Sequence, residues 1–251
     1  MDVAERLALG LVDAERKRRQ KVAGAEIVEI DGMVLCFSNL PDPALNSIVV
    51  ERSPEDPHRA MERAEVEFRA RNQPLGIDLQ LGRHRELDAV VRSIGLTSII
   101  ERPGLAASMR DLASAPPPDG IEIRQVLDDA GARALVEVDS EAFGDDPKIG
   151  MAFYGAGSFG VVGAQAFVAW HGARPIAIAE AYLRAGAVGV MGVGVVPAAR
   201  RRGVGAAITA HAARSFRGAD LAWLHPTDEA REMYERLGFR RVADHEIWVR
   251  R

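Results

Sequence analysis

One cysteine, no apolar run long enough to cross a bilayer and no basic N-terminal leader: these absences narrow the chain before any motif is read. Cys36 has no second cysteine to pair with and lies within the apolar run 33 to 37, so a buried structural thiol is its expected role and no metal site is expected there. The longest apolar runs fall short of the ~18 to 20 residues that a membrane span needs. The opening Met1-Asp2-Val3-Ala4-Glu5-Arg6 carries acids where a secretory leader needs bases, which points to a cytoplasmic protein. There is no large excess of either charge: the formal net charge is -4, so nothing in the bulk composition calls for a nucleic acid or a membrane surface. With 251 residues, 47% hydrophobic and 27% charged, the chain has the makings of two modest globular domains or one large one.

Against this mildly acidic background one stretch is basic. From position 197 to 217 there are five arginines (Arg200, Arg201, Arg202, Arg214, Arg217) and no Asp or Glu. Residues 188 to 196 before it are valine-rich with interspersed glycines, a composition suited to a buried strand that something approaches closely, and Pro197 ends the strand. After Gly203-Val204-Gly205 the run Ala206-Ala207-Ile208-Thr209-Ala210 has high helix propensity, so a helix is predicted to start at the glycines. Such a start leaves its first amides unpaired with the positive end of the helix dipole behind them, which makes it a phosphate site. The same residues also suit a plain strand-to-helix turn with solvated arginines. Two sharper readings fail on spacing. A nucleotide-triphosphate loop needs a Lys after its second glycine, and none follows; a dinucleotide fingerprint needs a third Gly or Ala, where Pro197 and Ile208 stand instead.

The residues Val195-Val196-Pro197, then Arg200-Arg201-Arg202-Gly203-Val204-Gly205, resemble the first motif of the GNAT superfamily of acyl-CoA-dependent N-acyltransferases. Downstream, Ala230-Arg231-Glu232-Met233-Tyr234-Glu235-Arg236-Leu237-Gly238-Phe239 is similar to that family's Ala-x-x-Leu-Tyr-Glu-x-Leu-Gly-Phe helix. The two come in the family's order and at its spacing, and the resemblance covers residues 120 to 251. It implies an α/β (α+β) fold: a mixed, mostly antiparallel central sheet flanked by helices, with a smaller related domain ahead of it.

Taken in order, residues 1 to 23 have a helical pattern whose charged end, 15 to 19, reads as solvated. Residues 26 to 38 form a hairpin signal around Asp31-Gly32, suited to a type I′ turn. Residues 39 to 43 read as loop, 46 to 50 as a strand and 57 to 71 as an exposed amphipathic helix. An echo follows. Strand 74 to 80, helix 85 to 94, Gly95-Leu96 and strand 97 to 101 recur as strand 221 to 225, helix 228 to 237, Gly238-Phe239 and strand 242 to 249. Laying Gly95 over Gly238 puts Val91 where Tyr234 stands, and the first copy has no Arg-x-x-Gly-x-Gly turn upstream. Residues 1 to 112 are read as a degenerate GNAT-like half that lost its cofactor site, although two unrelated strand-helix-strand units would give the same order. The proline-rich stretch 113 to 120 is the expected linker and residues 121 to 251 the acetyltransferase domain. Within it, Asp128 or Asp129 should cap a helix reaching Phe143, residues 144 to 160 read as a loop or broken helix with exposed aromatics, and residues 165 to 184 as a hairpin around Gly172.

The resemblance implies attack of an amine on the thioester of acetyl-CoA, the expected co-substrate. Its pantetheine would pair with the backbone of Val193, Gly194 and Val195, and its diphosphate would sit on the amides of Arg201, Arg202, Gly203, Val204, Gly205 and Ala206, with Arg200 also among the cofactor-binding residues. Thr227 stands where the family has an asparagine, keeping a hydroxyl but losing an amide. Tyr234 is the expected general acid for the leaving thiolate, since a phenol with a pKa near ~10 is protonated at neutral pH. Its ring could instead pack against the strands. An alkyl amine is mostly protonated at pH 7, so a base is also needed; Glu180 and His225 are the candidates, and each has a structural alternative. Asp145 and Asp146 could attract a cationic acceptor. The acceptor would be an amine of a small molecule or peptide, with no nucleic acid, metal or membrane involved and a homodimer left open. Two other readings stand beside the enzyme: a catalytically silent acyl-CoA sensor, and an interaction module whose first half docks another chain.

Overall fold

The computed structural model describes residues 1–40, 45–154 and 159–250. The parts of the expected loops at 41–44 and 155–158 lie outside these residues. The chain opens with α1 (Val3–Gln20), the hairpin β1 (Glu26–Ile30) and β2 (Met33–Phe37), β3 (Ser47–Val50), α2 (Pro57–Ala70), β4 (Gly76–Gln80), α3 (Arg85–Ser93) and β5 (Thr97–Ser108). The second half runs β6 (Ile121–Gln125), α4 (Asp129–Phe143), α5 (Pro147–Tyr154), β7 (Ala164–His171), β8 (Arg174–Arg184) and β9 (Ala187–Val195). A 3-10 turn (Pro197–Ala199), α6 (Val204–Ala213), β10 (Leu221–Leu224), α7 (Asp228–Arg236) and β11 (Arg240–Val249) complete it. The fold is mixed α/β, a large and mostly antiparallel sheet flanked by seven helices among the described residues.

Local chemistry explains many of the boundaries. Asp31 and Gly32 both have positive φ, 44° and 86°, which is the type I′ turn that matches the twist of two antiparallel strands. The Asp128 carboxylate accepts from the Gly131 amide at 2.8 Å to start α4, and Gly144 in the left-handed region ends it. Of the loop or broken helix expected over 144 to 160, residues 147 to 154 form a two-turn helix, started by Pro147 and by the Asp146 carboxylate, which accepts from the Lys148 amide. Its aromatics, Phe153 and Tyr154, are buried rather than exposed.

The eleven strands among the described residues form one sheet in the order β1-β2-β3-β4-β11-β5-β10-β9-β8-β7-β6. Its centre is an exchange. The last strand of the second half, β11, lies between β4 and β5, and the last strand of the first half, β5, lies between β11 and β10. With Gly95 laid over Gly238 and no gap, α3 coincides with α7, while β3, α2, β4 and β5 fall on β9, α6, β10 and β11. Arg102 then falls on His245, and these two residues are each other's register partners where β5 and β11 cross. The proline-rich stretch is held against the sheet by Ala113, whose amide donates to the Leu237 carbonyl at 2.8 Å, and by Arg214, which donates to the Leu112 and Ala113 carbonyls.

Helix α1 departs most from the sequence reading. Its charged C-terminal end is not solvated: Glu15, Arg19 and the following Lys21 are all buried against the sheet. Arg19 pairs with Glu15 at 2.8 Å and donates to the Leu45 carbonyl, while Lys21 reaches β8 in the second half. The helix contacts strands of both halves and, through Leu7 and Leu11, packs with Trp223 of β10 and Val49 of β3.

Candidate functional site

Strands β9 and β10 are parallel neighbours, yet their pairing is short. Leu221, Ala222 and Trp223 pair with Ala187, Val188 and Gly189. Beyond Gly189 they part, because Leu224 stays with Leu105 of β5 while β9 continues to Val195 beside β8. Among the described residues no strand therefore pairs with the β10-facing edge of residues 190 to 195, where the Val195 carbonyl accepts from Arg200 and the rest can pair with an extended ligand. Gly189 makes the last close approach possible: a Cβ there would lie 2.2 Å from the Trp223 ring. A bulge reinforces the opening. Register shifts between Ile178 and Glu180, and Gly192 at φ 58° takes up the extra residue. Val193 and Val195 are half-buried, whereas Gly194 is packed under Phe143 and Ala142 at the end of α4.

Helix α6 begins directly after this opening. Its N-cap Gly203 (φ 81°) supplies no side-chain hydrogen bond, and the first backbone bond back to it is made by the Ala207 amide. The amides of Val204, Gly205 and Ala206 precede that bond, so they are the helix's free donors and lie at its positive end. Gly205 sits where three elements meet: a Cβ there would be 3.2 Å from Met233 Sδ of α7 and 3.5 Å from Val195 Cγ2. The three arginines divide. Arg200 is committed to the fold, donating to the Val195 carbonyl at 3.0 Å and the Ala142 carbonyl at 2.9 Å. Arg201 and Arg202 are exposed and make no ion pair among the described residues, so their charge faces whatever approaches α6.

Tyr234 follows Met233 on α7 and is buried, edge-on to Phe239 with centroids 6.0 Å apart. Burial pushes its phenol up to about 12, with the adjacent Thr209 hydroxyl pulling the other way. Thr227 holds the N-cap position of α7 but its exposed side chain makes no capping bond. His225 ends β10 elsewhere, with Nδ1 3.2 Å from the Pro103 carbonyl and its ring 4.5 Å from His245. Burial, then the charges of Arg102 and His245, drives its pKa well down, so it stays neutral.

Glu180 is only 2% exposed and lies on β8 across from Met191, beside the bulge. Lys21 donates to its Oε1 at 2.7 Å, as does the Tyr182 hydroxyl at 2.7 Å, and Arg18 Nε stands 3.9 Å from Oε2. Burial alone would raise this carboxyl; the charges of Lys21 and Arg18 outweigh it and hold the group below the usual carboxylate range. Among the described residues Oε2 makes no hydrogen bond, and it faces Gly192, where a Cβ would be 3.5 Å away. Asp139 on α4 is in the same neighbourhood, raised to about 6 by burial and by the charges of Asp145 and Glu180. The sequence reading missed Arg18, Lys21, Tyr182 and Asp139. One signal was available: a lone acid in the apolar strand Ala177-Ile178-Ala179-Glu180-Ala181 needs a buried counter-charge.

The model of the acetyltransferase (GNAT) domain matches residues 163–241, which hold the opening, α6 and α7. No curated protein matches the sequence. Among solved structures, a GCN5-related N-acetyltransferase from Kribbella flavida is similar over 99% of this chain and 96% of its own, with 25% identity and a TM-score of 0.78. A GCN5-related N-acetyltransferase from Sphaerobacter thermophilus (16% identity, 88% and 80% covered, TM-score 0.60) shares the fold. So does a tandem GNAT protein from the clavulanic acid biosynthesis pathway (14% identity, 87% and 78% covered, TM-score 0.63).

Proposed function

This chain is an acyltransferase of the GNAT superfamily, and from that premise we propose that it moves an acetyl group from acetyl-CoA to an amine by direct attack, with Tyr234 as the proton donor. The observation that carries the proposal is the parting of β9 from β10 immediately before a helix whose first amides are free. The residues suit the co-substrate. The edge of β9 offers the backbone of Val193 and the amide of Val195 to an amide-bearing arm, the amides of residues 204 to 206 offer donors to a diphosphate, and Arg201 and Arg202 add charge. A phosphate at the first turn gains roughly 0.3 to 1 kcal/mol from the helix dipole.

The amine nitrogen forms the new C–N bond as the C–S bond breaks, and one proton passes from nitrogen to sulfur. A phenol at about 12 facing a thiol of ordinary pKa ~8.5 cannot give up its proton for long: full transfer is uphill by roughly 5 kcal/mol. Tyr234 therefore acts as a hydrogen-bond donor to the departing sulfur and recovers its proton from the product nitrogen in the same event. An ammonium acceptor must shed one further proton before it attacks; Glu180, the carboxylate that faces the bulge at Gly192, passes that proton through water to solvent.

Only the second half takes the co-substrate in this reading, with residues 1 to 112 a degenerate partner half and 113 to 120 the connection. At the corresponding point of the first half, the start of α2, the Asp56 carboxylate accepts from the Arg59 amide at 3.0 Å and Asp31 accepts from the Glu55 amide at 2.6 Å. Those carboxylates occupy donors a phosphate would need and repel it. A single, buried cysteine suits a reducing cytoplasmic setting, and the acceptor is an amine of a small molecule or peptide. Thiol release from acetyl-CoA across a panel of amines tests the proposal: turnover with one class supports it. A second reading, a silent acyl-CoA sensor, is favoured by the tight engagement of Glu180 with Lys21 and Tyr182. Binding without turnover on any amine would select it.

A further inference from the structure

A cavity of about 10 Å³ lies between α1 and the ends of β3 and β4, lined among others by Leu11, Val49, Asp78, Gln80, His84 and His245. That volume admits one water molecule and nothing larger. Three polar atoms of the lining residues, Gln80 Oε1, His84 Nε2 and His245 Nε2, are buried and make no hydrogen bond among the described residues, a combination rare enough to require a partner. The opposite end of each side chain is already engaged. Gln80 donates through Nε2 to the Ala4 carbonyl of α1 at 3.2 Å, which fixes the amide with its oxygen turned away from α1's first turn. His245 Nδ1 is 2.9 Å from the Asp78 carboxylate, itself paired with Arg102. His84 Nδ1 is 2.9 Å from the Ser53 hydroxyl.

We propose that a single water occupies this cavity and hydrogen-bonds Gln80 Oε1, His84 Nε2 and His245 Nε2. An ionised carboxylate can only accept, so His245 carries a proton on Nδ1. Gln80 Oε1 is an acceptor and takes one of the water's hydrogens. Burial, with the Arg83 charge beside it, lowers His84 to about 4 against the pull of the Val50 carbonyl, which keeps that ring neutral.

The water ties α1, through Gln80, to the crossing of β5 and β11, through His245 and Asp78. It also occupies a telling position. In the gapless overlay β3 and β4 fall on β9 and β10, so the gap that opens toward a ligand in the second half is, in the first, closed by α1 down to one water. Crystals of the wild-type protein diffracting to about 1.5 Å should show one oxygen within hydrogen-bond reach of all three atoms. Imidazole ¹⁵N spectra at pH 8, assigned with His84→Gln and His245→Gln, should show His245 protonated at Nδ1. A map that resolves other buried waters but has no density here would overturn the proposal, as would a His245 with no proton on Nδ1.

Discussion

Replacing Lys21 with Met removes the charge that balances Glu180 while keeping most of the volume. Both side chains are enclosed, with relative exposures of 0% for Lys21 and 3% for Glu180, so the carboxylate cannot turn to solvent for compensation. It would retain the Tyr182 hydroxyl and the Arg18 charge at 3.9 Å. Breaking one side of a buried pair costs about 3 to 5 kcal/mol, which for a domain of this size lowers the melting temperature by roughly 6 to 20 °C. Lys21→Met with Glu180→Gln removes both charges, and an amide can still accept from Tyr182. That double variant should recover at least about 2 kcal/mol of the loss, since neutral replacements of a whole buried pair are often close to neutral in stability. Urea unfolding of the wild type, both single variants and the double variant measures the coupling directly. Additive losses, or a Lys21→Met cost below about 1 kcal/mol, would refute the picture of a dry pair joining the two halves.

Other outcomes follow from the same geometry. Tyr234→Phe should lower kcat on any accepted amine with little change in acetyl-CoA affinity; an unaltered rate would remove the phenol from the chemistry. Acid should destabilise the fold before its carboxylates titrate. His84 and His225 have folded pKa values below the usual 6.5, so the unfolded chain binds more protons as pH falls from 6.5 toward 4, and stability drops by up to about 1.4 kcal/mol per pH unit for each histidine. Asp139, raised to about 6, works in the opposite sense over the same window, so Asp139→Asn should steepen the fall seen in melting curves collected from pH 7 to pH 4. Iodoacetamide should leave Cys36 unmodified in the folded protein, because burial raises its thiol to about 12; rapid labelling under native conditions would contradict its placement in β2.

What the sequence reveals here is what local chemistry decides. The start of α6 at Gly203, the Asp31-Gly32 turn and the Asp128 cap each depend on a few neighbouring residues, and each is found where the sequence puts it. The alignment of the two halves is legible for the same reason, through Gly95-Leu96 and Gly238-Phe239. The charged end of α1 is not. Its residues look solvated because the acid that receives Lys21 is 159 positions away, and only tertiary packing brings the two together. The exchange of β5 and β11 is equally silent, since each strand has the composition to pair with either neighbour. Nor does the sequence reveal what holds the Arg200 side chain, which donates to two carbonyls, one of them 58 positions upstream in α4.

Titration of the protein with acetyl-CoA by calorimetry, alongside Gly205→Glu, tests the central claim most directly. The substitution places a carboxylate at the free amides of α6 and a Cβ 3.2 Å from Met233 Sδ. Saturable binding of one acetyl-CoA per chain in the wild type and none in Gly205→Glu is the predicted result. Equal affinity in the two proteins, two sites per chain, or no binding to the wild type would contradict the account.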